Sequence, residues 1–396
     1  MKVMMATPYH PKDDGIAVHT AKLIAHLRNE ADVEVEILTQ RSVTSSEKSD
    51  EPSVFRCVSM NPLSVVRSVR AIRQSGADVV HVQYALPAQG PAVFYVMLAA
   101  WWVRRSSVLR LVVTCHEVRR ELNVLRVAGV LIFRGIRMIS DVVVVHTEES
   151  RALLEDRCAV AGRKIAYSPL GAERVARPDP QRIDDAMHRY CRDGRELVVF
   201  FGWIHPDKGI EDLIAATELL ARTPGGVDKL EVLICGAVRP RTGLFRYFGK
   251  KDSEYEAHLR SMVRASSLES VVRFAGFVPD DDVVPLLSGA RVMVVPYRNT
   301  TQSAVLNQAI AVGVPVVASN LPGLRETLER GGGVLVEPHE PAMLCDALQR
   351  IIEDDLWVDE LRHRQVALQQ EIGFERVVAR LLAVYRFDAA ILAVAS

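Results

Sequence analysis

The chain has 396 residues, 49% of them hydrophobic and 25% charged, with a formal net charge of zero. That length suits two domains of average size rather than one. The neutral balance argues against a dedicated nucleic-acid binder, whose phosphate contacts demand a basic surface. The six cysteines are scattered, with no C-x-x-C pair, and several lie in apolar runs. This is the pattern of reduced core thiols in a cytoplasmic protein rather than of a disulfide framework. Met1–Ala6 leads straight into a strand and a glycine loop, so no secretory leader is expected. No run reaches the roughly 18 uninterrupted apolar residues of a membrane span. The closest, Pro91–Val103 and Val127–Phe133, are stopped by arginines and read as buried helices.

In chain order, the first half predicts strands at Lys2–Ala6, Val33–Leu38, Val79–Val82, Leu111–Thr114 and Val142–His146, with helical patterns between them. In Val18–Arg28 the apolar spacing Ala21, Leu23, Ile24, Leu27 is helical. A polar stretch, Ala172–Arg195, reads as the join between domains. The second half repeats the alternation, with strands at Leu197–Phe201, Leu230–Cys235, Val271–Phe274, Val292–Val295, Val314–Ala318 and Gly333–Val336. Helices are expected at Ile210–Ala221, Asp280–Leu287, Ala304–Val312 and Pro341–Glu353, and a final one over Phe374–Phe387 looks separable from the second sheet. Strands alternating with helices imply βαβ units, hence an α/β protein with two doubly wound parallel sheets.

Chemistry concentrates where strands end, because open parallel sheets bind ligands at their carboxyl edge. After Val292–Val295 a loop of small and polar residues, Thr300, Thr301, Gln302, Ser303 and Ala304, feeds a helix. The free N–H groups of a first helical turn and the positive end of its dipole make such a place an anion site. Lys208 follows Leu197–Phe201 in a loop that opens a helix; it is either a solvated loop lysine or an anion ligand. Gly15 lies in the loop after the first strand, where a bare backbone lets a ligand approach or simply makes a turn. His116 ends a buried strand next to Glu117, in a structural or a catalytic role, and His19 and His81 are weaker candidates. From Arg104 to Arg137 eight arginines face two glutamates. That excess suits either a solvated face or a basic surface for a phosphorylated or lipid-linked acceptor or an anionic membrane. No metal-ligand spacing is visible, so no metal or cofactor is expected; Asp280-Asp281-Asp282 reads as a helix start.

The stretch Val294–Glu326 resembles the donor-phosphate segment of the GT-B glycosyltransferases, in particular the retaining family 4 type. Ala309, Gly313, Pro315, Val316 and Val317 match its tail. Gln308 stands where the family has its second Glu, and Asn299 or Thr300 stands near the first. Val112-Val113-Thr114-Cys115-His116-Glu117 is similar to the family's strand ending in His. Ser168-Pro169-Leu170-Gly171 resembles the end of its first domain, and Phe200–Gly209 the opening of its second. Pro8–His19 resembles the family's first loop, with Gly15 alone where two glycines are common. The resemblance covers nearly the whole chain. It implies two Rossmann-like domains facing across a cleft: an acceptor domain at 1–175, a donor domain at 176–375, and a C-terminal helix at 376–396 crossing back to the first.

The activity so implied is metal-independent, retaining transfer of a sugar from a nucleotide-diphosphate sugar to a saccharide, glycoside or lipid-linked acceptor, by a front-face mechanism without a protein nucleophile. Lys208 would neutralise the leaving diphosphate, helped by Gly15, Gly202, His205 and the loop and helix residues Thr300, Ser303, Ala304 and Val305. Gln308 would meet the ribose, and His116 the sugar or acceptor. Trp203 occupies the position of a family arginine on the diphosphate, and Glu326 is either a helix-start carboxylate or a ligand contact. The rival from another class is a sugar-nucleotide-binding partner protein with little or no activity. A dinucleotide-dependent dehydrogenase is set aside, because Gly-x-Gly-x-x-Gly is missing from the first strand–helix turn.

Overall fold

A computed structural model describes residues 1–9, 15–41, 53–192, 194–238, 246–300 and 302–387. Residues 10–14 of the first loop, Thr301 and the tail from 388 onward lie outside the described residues. The chain forms two units, one of residues 1–171 with 374–396, the other of residues 172–373.

The first unit runs β1 (Lys2–Ala6), α1 (Gly15–Arg28), β2 (Glu34–Gln40), β3 (Val54–Val58), α2 (Ser64–Ser75), β4 (Val79–Tyr84), α3 (Leu86–Gln89), α4 (Ala92–Arg104), β5 (Arg110–Cys115), α5 (Val118–Leu125), α6 (Val127–Ile139), β6 (Val142–Val145), α7 (Glu148–Cys158) and β7 (Ile165–Tyr167). Its seven strands are parallel in the order β3-β2-β1-β4-β5-β6-β7. Both faces are covered, so successive residues of each strand enter different cores. Met4 and Ala6 pack with Val80, Val82, Leu111 and Val113 under α2 and α4. Val3 and Met5 pack with Val35, Ile37, Val112 and Val144 under α1. Burial on both faces explains why the strands read as apolar runs rather than as alternating ones.

The second unit runs α8 (Pro180–Tyr190), β8 (Glu196–Phe201), α9 (Ile210–Ala221), β9 (Leu230–Cys235), α10 (Arg246–Ala265), β10 (Val272–Gly276), α11 (Asp280–Gly289), β11 (Val292–Val295), α12 (Ala304–Val312), β12 (Val316–Ser319), α13 (Pro322–Leu328), β13 (Gly333–Val336), α14 (Pro341–Glu353) and α15 (Asp355–Ile372). Its six parallel strands are ordered β10-β9-β8-β11-β12-β13 around one apolar core. In both sheets the order reverses beside the first strand, the switch point at which a doubly wound sheet opens a ligand crevice.

The structure corrects three expectations. The polar stretch 172–195 is not a plain connector: it contains α8, which packs on α11 through Met187 against Gly289. Arg189 pairs with Asp282 at 2.6 Å, and the Tyr190 hydroxyl donates to the same carboxylate. Only Ala186 of α8 is fully buried, so its composition reads as linker. The edge strands β3 and β7 went unseen because one carries Arg56 at its centre and the other has three residues. Finally, α6 is not a buried helix: only Gly129, Phe133 and Ile136 are fully buried.

The last described helix, α16 (Phe374–Arg386), belongs to the first unit. Phe374, Val377, Val378, Leu381, Leu382 and Tyr385 follow the i, i+3, i+4 spacing of one buried stripe and join the core beneath α1. Arg110 of β5 donates to the Tyr385 carbonyl. Phe374 stacks on His26 with centroids 5.0 Å apart and packs against Gly171. Truncating so enclosed an aromatic leaves a cavity, so Phe374→Ala is expected to destabilise the first unit by about 3–5 kcal/mol. Urea denaturation followed by circular dichroism measures it, and a loss under about 1 kcal/mol would mean that α16 adds little to that core.

Candidate functional site

At the carboxyl edge of the first sheet four histidines gather: His19 of α1, His81 of β4, His116 after β5 and His146 after β6. The His116 and His146 ring centroids are 4.8 Å apart, and those of His19 and His146 6.2 Å. Hydrogen-bond chemistry fixes the proton position of His146. Its Nδ1 lies 2.6 Å from the Ser168 carbonyl, which can only accept, so Nδ1 carries the proton. His146 Nε2 lies 3.2 Å from His116 Nδ1. The other nitrogen of His116, Nε2, lies 2.8 Å from Gln83 Oε1. Gln83 reaches His81 Nε2 at 3.3 Å, and His81 Nδ1 meets the Tyr385 hydroxyl at 2.6 Å. Thr114 Oγ1 sits 2.6 Å from His81 Nε2. His19 Nε2 accepts from Gly171 N at 3.3 Å, and its buried Nδ1 has no partner among the described residues.

Both ring nitrogens of His116 are thus engaged inside the protein, and the half-buried ring is presented at the edge by its neighbours. Sequence reasoning missed His146 and Gln83, although a histidine directly after the Val142–Val145 strand is the same signal that singled out His116. It also missed Glu121, a buried carboxylate that accepts from the Tyr84 hydroxyl at 2.7 Å and from Leu86 N at 3.1 Å, tying α5 to the end of β4. Burial pushes the Glu121 carboxyl up.

Burial holds these histidines neutral. It lowers His19 and His81 to about 3 and His146 to about 4, and it lowers His116 well below the usual range. Their mutual proximity, and Lys22 beside His19, push the same way. Above the unfolded value near 6.5 the rings are neutral in both states and pH has no effect through them. Below it the unfolded chain binds protons that the folded chain refuses, so stability falls as pH drops from about 6.5 toward 4. Each such histidine contributes up to about 1.4 kcal/mol per pH unit in that window. Denaturation midpoints at pH 7, 6 and 5 should decline steeply, and a flat profile would mean that the rings protonate freely in the folded state.

At the carboxyl edge of the second sheet the loop after β8 is held against backbone. Gly202 N donates to Cys235 O at 2.9 Å and Ile204 N to Ala237 O at 3.0 Å. A Cβ on Gly236 would overlap the Gly202 carbonyl. Residues Pro206–Lys208 make a single tight turn, closed by Gly209 at φ +59°, whose missing side chain leaves room for Pro296 O. Asp207 O accepts from Arg298 N at 2.9 Å, and the Arg298 guanidinium pairs with Asp212 at 2.7 Å and with Glu211. This frame sets Lys208 Nζ 3.5 Å above the centre of the Tyr297 ring. Lys208 makes no ion pair with any described carboxylate. The Tyr297 hydroxyl is buried without a described partner. A Cβ on Gly202 would come 3.9 Å from it and 3.6 Å from Val305. Gly202 and Lys208 therefore meet at Tyr297, with Val305 beside Gly202; the sequence reading passed over Tyr297 although it directly follows the strand and Pro296.

Ser303 caps α12, its hydroxyl accepting from Leu306 N at 3.1 Å. That uses one free donor of the first turn; the N–H groups of Ala304 and Val305 have no acceptor among the described residues. Thr300 turns its hydroxyl onto Gln302 O at 2.7 Å. Gln308 is half-buried, one turn along from Ala304, with no described partner. His205 Nδ1 is 3.9 Å from Asp207, and Trp203 is exposed. Gly15 opens α1, and a Cβ there would meet no atom of the described residues within 4 Å. Among the described residues no group of three or more His, Cys, Asp and Glu could hold a metal ion, and no helix is long and apolar enough to cross a membrane.

Two doubly wound parallel sheets, each with polar groups at its carboxyl edge, are the makings of a GT-B protein. The family model "Glycosyltransferase Family 4" matches residues 14–173 and "Glycosyl transferases group 1" matches residues 189–369. The D-inositol 3-phosphate glycosyltransferase of Corynebacterium aurimucosum is 29% identical over 291 residues, 70% of this chain and 64% of that protein, so the chain spans just under two thirds of that relative. A glycosyltransferase structure from Rickettsia africae matches with a TM-score of 0.77 at 13% identity, over 99% of this chain and 98% of that one. The Anabaena HepE structure in complex with UDP matches with a TM-score of 0.76 at 17% identity, over 97% and 99%. The structural likeness establishes the fold. The chain is a GT-B glycosyltransferase that resembles family 4.

The loop frame predicts a graded response to glycine substitution. At exposed Gly225, φ +74° with its nearest neighbour 3.7 Å away, alanine meets only the backbone penalty. At Gly209 alanine also meets Pro296 O. Gly209→Ala is expected to cost more than about 1 kcal/mol beyond Gly225→Ala. Equal melting temperatures for the two variants would show that the turn relaxes without cost.

Proposed function

We propose that this protein transfers a sugar from a uridine diphosphate sugar to a hydroxyl of a small phosphorylated polyol or saccharide, with retention of configuration and without a metal. The observation that carries the reading is the meeting of Lys208 and Gly202 at Tyr297, with Val305 beside Gly202 and the unfilled N–H groups that open α12. A cation without a carboxylate and two free backbone donors suit a diphosphate that gains charge as its bond to the sugar breaks. UDP in the related Anabaena structure supports the choice of nucleotide, and inositol 3-phosphate in the name of the Corynebacterium relative supports the acceptor class. The six unpaired cysteines support a cytoplasmic setting.

In this reading the leaving phosphate takes the acceptor's proton, so no protein nucleophile is required. The Lys208 ammonium and the Ala304 and Val305 N–H groups stabilise the departing diphosphate. Gln308 bonds the ribose. His116, held in place by His146 and Gln83 and kept neutral by burial, presents its ring to sugar or acceptor without competing as a cation.

A contact made chiefly with the departing diphosphate is worth roughly 3 kcal/mol, so Lys208→Ala should lower transfer about a hundredfold at unchanged melting temperature. Near-normal turnover would remove Lys208 from the diphosphate. Thermal shift against UDP, GDP, ADP and TDP identifies the base, since ligand at a hundred times its dissociation constant adds roughly 2.7 kcal/mol. Proton NMR of the product reads the anomeric configuration. Firm UDP binding with no transfer to any polyol phosphate or saccharide would favour the reading as a binding partner, which the uncharged Gln308 also suits.

Calorimetry tests Gln308 separately. A bond to a charged acceptor exceeds one to a neutral amide by about 1 kcal/mol, so Gln308→Glu should bind UDP several-fold more tightly. Unchanged affinity in both Gln308→Glu and Gln308→Ala would place the ribose elsewhere.

A further inference from the structure

Helix α6 carries apolar residues on both faces. Its inner side seats Phe133 and Ile136, and Gly129 lets it approach α5 so closely that a Cβ there would lie 2.9 Å from Glu121 O. Its outer side repeats at i, i+4, i+7 and i+11: Val127, Leu131, Arg134 and Met138. The three apolar members are 74%, 61% and 78% exposed. A solvated helix carries charge on such a face. Helix α4 has the same pattern at i, i+4 and i+7, with Leu98, Trp102 and Arg105, and Trp102 is 57% exposed. The carboxyl ends of the two helices are tied together by Arg104, which donates to Ile139 O at 2.8 Å and to Asp141 at 2.6 Å.

On α4, α6 and the residues that flank them the charges are arginines. Arg104, Arg119 and Arg120 are paired with Asp141, Glu149 and Glu117. Arg105, Arg126 and Arg134 have no carboxylate partner among the described residues, and neither α4 nor α6 contains an Asp or Glu. Exposed aliphatic side chains, a tryptophan and uncompensated arginines are the combination that sits at a bilayer interface. The aliphatic groups enter the acyl boundary, the indole lies at headgroup depth, and the guanidinium groups meet lipid phosphates. We propose that the outer faces of α4 and α6 dock this protein on an anionic lipid bilayer. The proposal stands apart from the chemistry of the second unit, because nothing in it involves the donor residues.

Co-sedimentation of the full chain with vesicles tests it, using phosphatidylcholine alone and phosphatidylcholine mixed with phosphatidylglycerol, at 0.1 M and 0.5 M salt. Binding is expected only with the anionic mixture, and weaker at the higher salt. The double variant Leu131→Glu, Met138→Glu should abolish it, with an unchanged circular dichroism melt because both residues are solvent-facing. The double variant Arg126→Gln, Arg134→Gln should weaken it about thirtyfold, at about fivefold per arginine. Three outcomes overturn the proposal: no binding to the anionic vesicles, equal binding to the neutral ones, or binding unchanged in the glutamate variant. A concentration-dependent dimer in light scattering that the glutamate variant dissolves overturns it too, by assigning the surface to a second copy of the chain.

Discussion

The carboxyl edge of the second unit depends on a crossing of main chains that leaves no space for a side chain. Gly202 and Gly236 pass with the carbonyl of one where the Cβ of the other would be, and Gly209 does the same with Pro296. Because the loop cannot move away from its neighbours, the short turn of Pro206–Lys208 has one position, and so has the lysine that ends it. The Arg298 bonds to Asp207, Asp212 and Glu211 hold the loop after β11 in the same frame. A flexible lysine stem is costly to immobilise at the moment a ligand arrives. Here the Tyr297 face holds the ammonium beforehand.

The first unit reaches rigidity by another route. Its edge is polar and buried at once, and among the ring nitrogens there only His19 Nδ1 lacks a described partner. The run from Ser168 through His146, His116 and Gln83 to His81 and Tyr385 engages both nitrogens of His81, His116 and His146, and burial holds those rings neutral. Tyr385 ends the run, so the same helix that supplies apolar surface beneath α1 also sets the last hydrogen bond of the edge.

Much of this was legible in the sequence. The central strands of both sheets are mostly apolar because they are covered on both faces, and that signal survives without knowledge of partners. Edge strands are half-covered, so β3 could keep Arg56 and β7 could shrink, and neither left a clear trace. Helix α8 was read as a connector because only Ala186 is fully buried and polar residues make up most of the rest. At the sites, His116, Lys208 and the α12 loop stood out because each follows a strand. Tyr297, His146 and Gln83 act through atoms brought from other strands, and no local spacing encodes that. The outward face of α6 was hidden for a related reason: an apolar helix pattern says that a residue avoids water, not what it avoids water with.

The way α16 completes the first unit also bears on how the molecule is made. Its apolar stripe is separated in sequence from the rest of that core by the whole of residues 172–373. A ribosome adding roughly 5–20 residues per second therefore finishes the continuous second unit while the first still lacks a helix, and the wait is on the order of 10–40 s. During that interval Val3, Met5, Leu23 and Leu27 stand uncovered on the face that Phe374, Leu381 and Tyr385 will occupy. The unit made first is the last to close, and the nascent chain exposes a sticky surface to chaperones for as long as its own closing segment is still being synthesised.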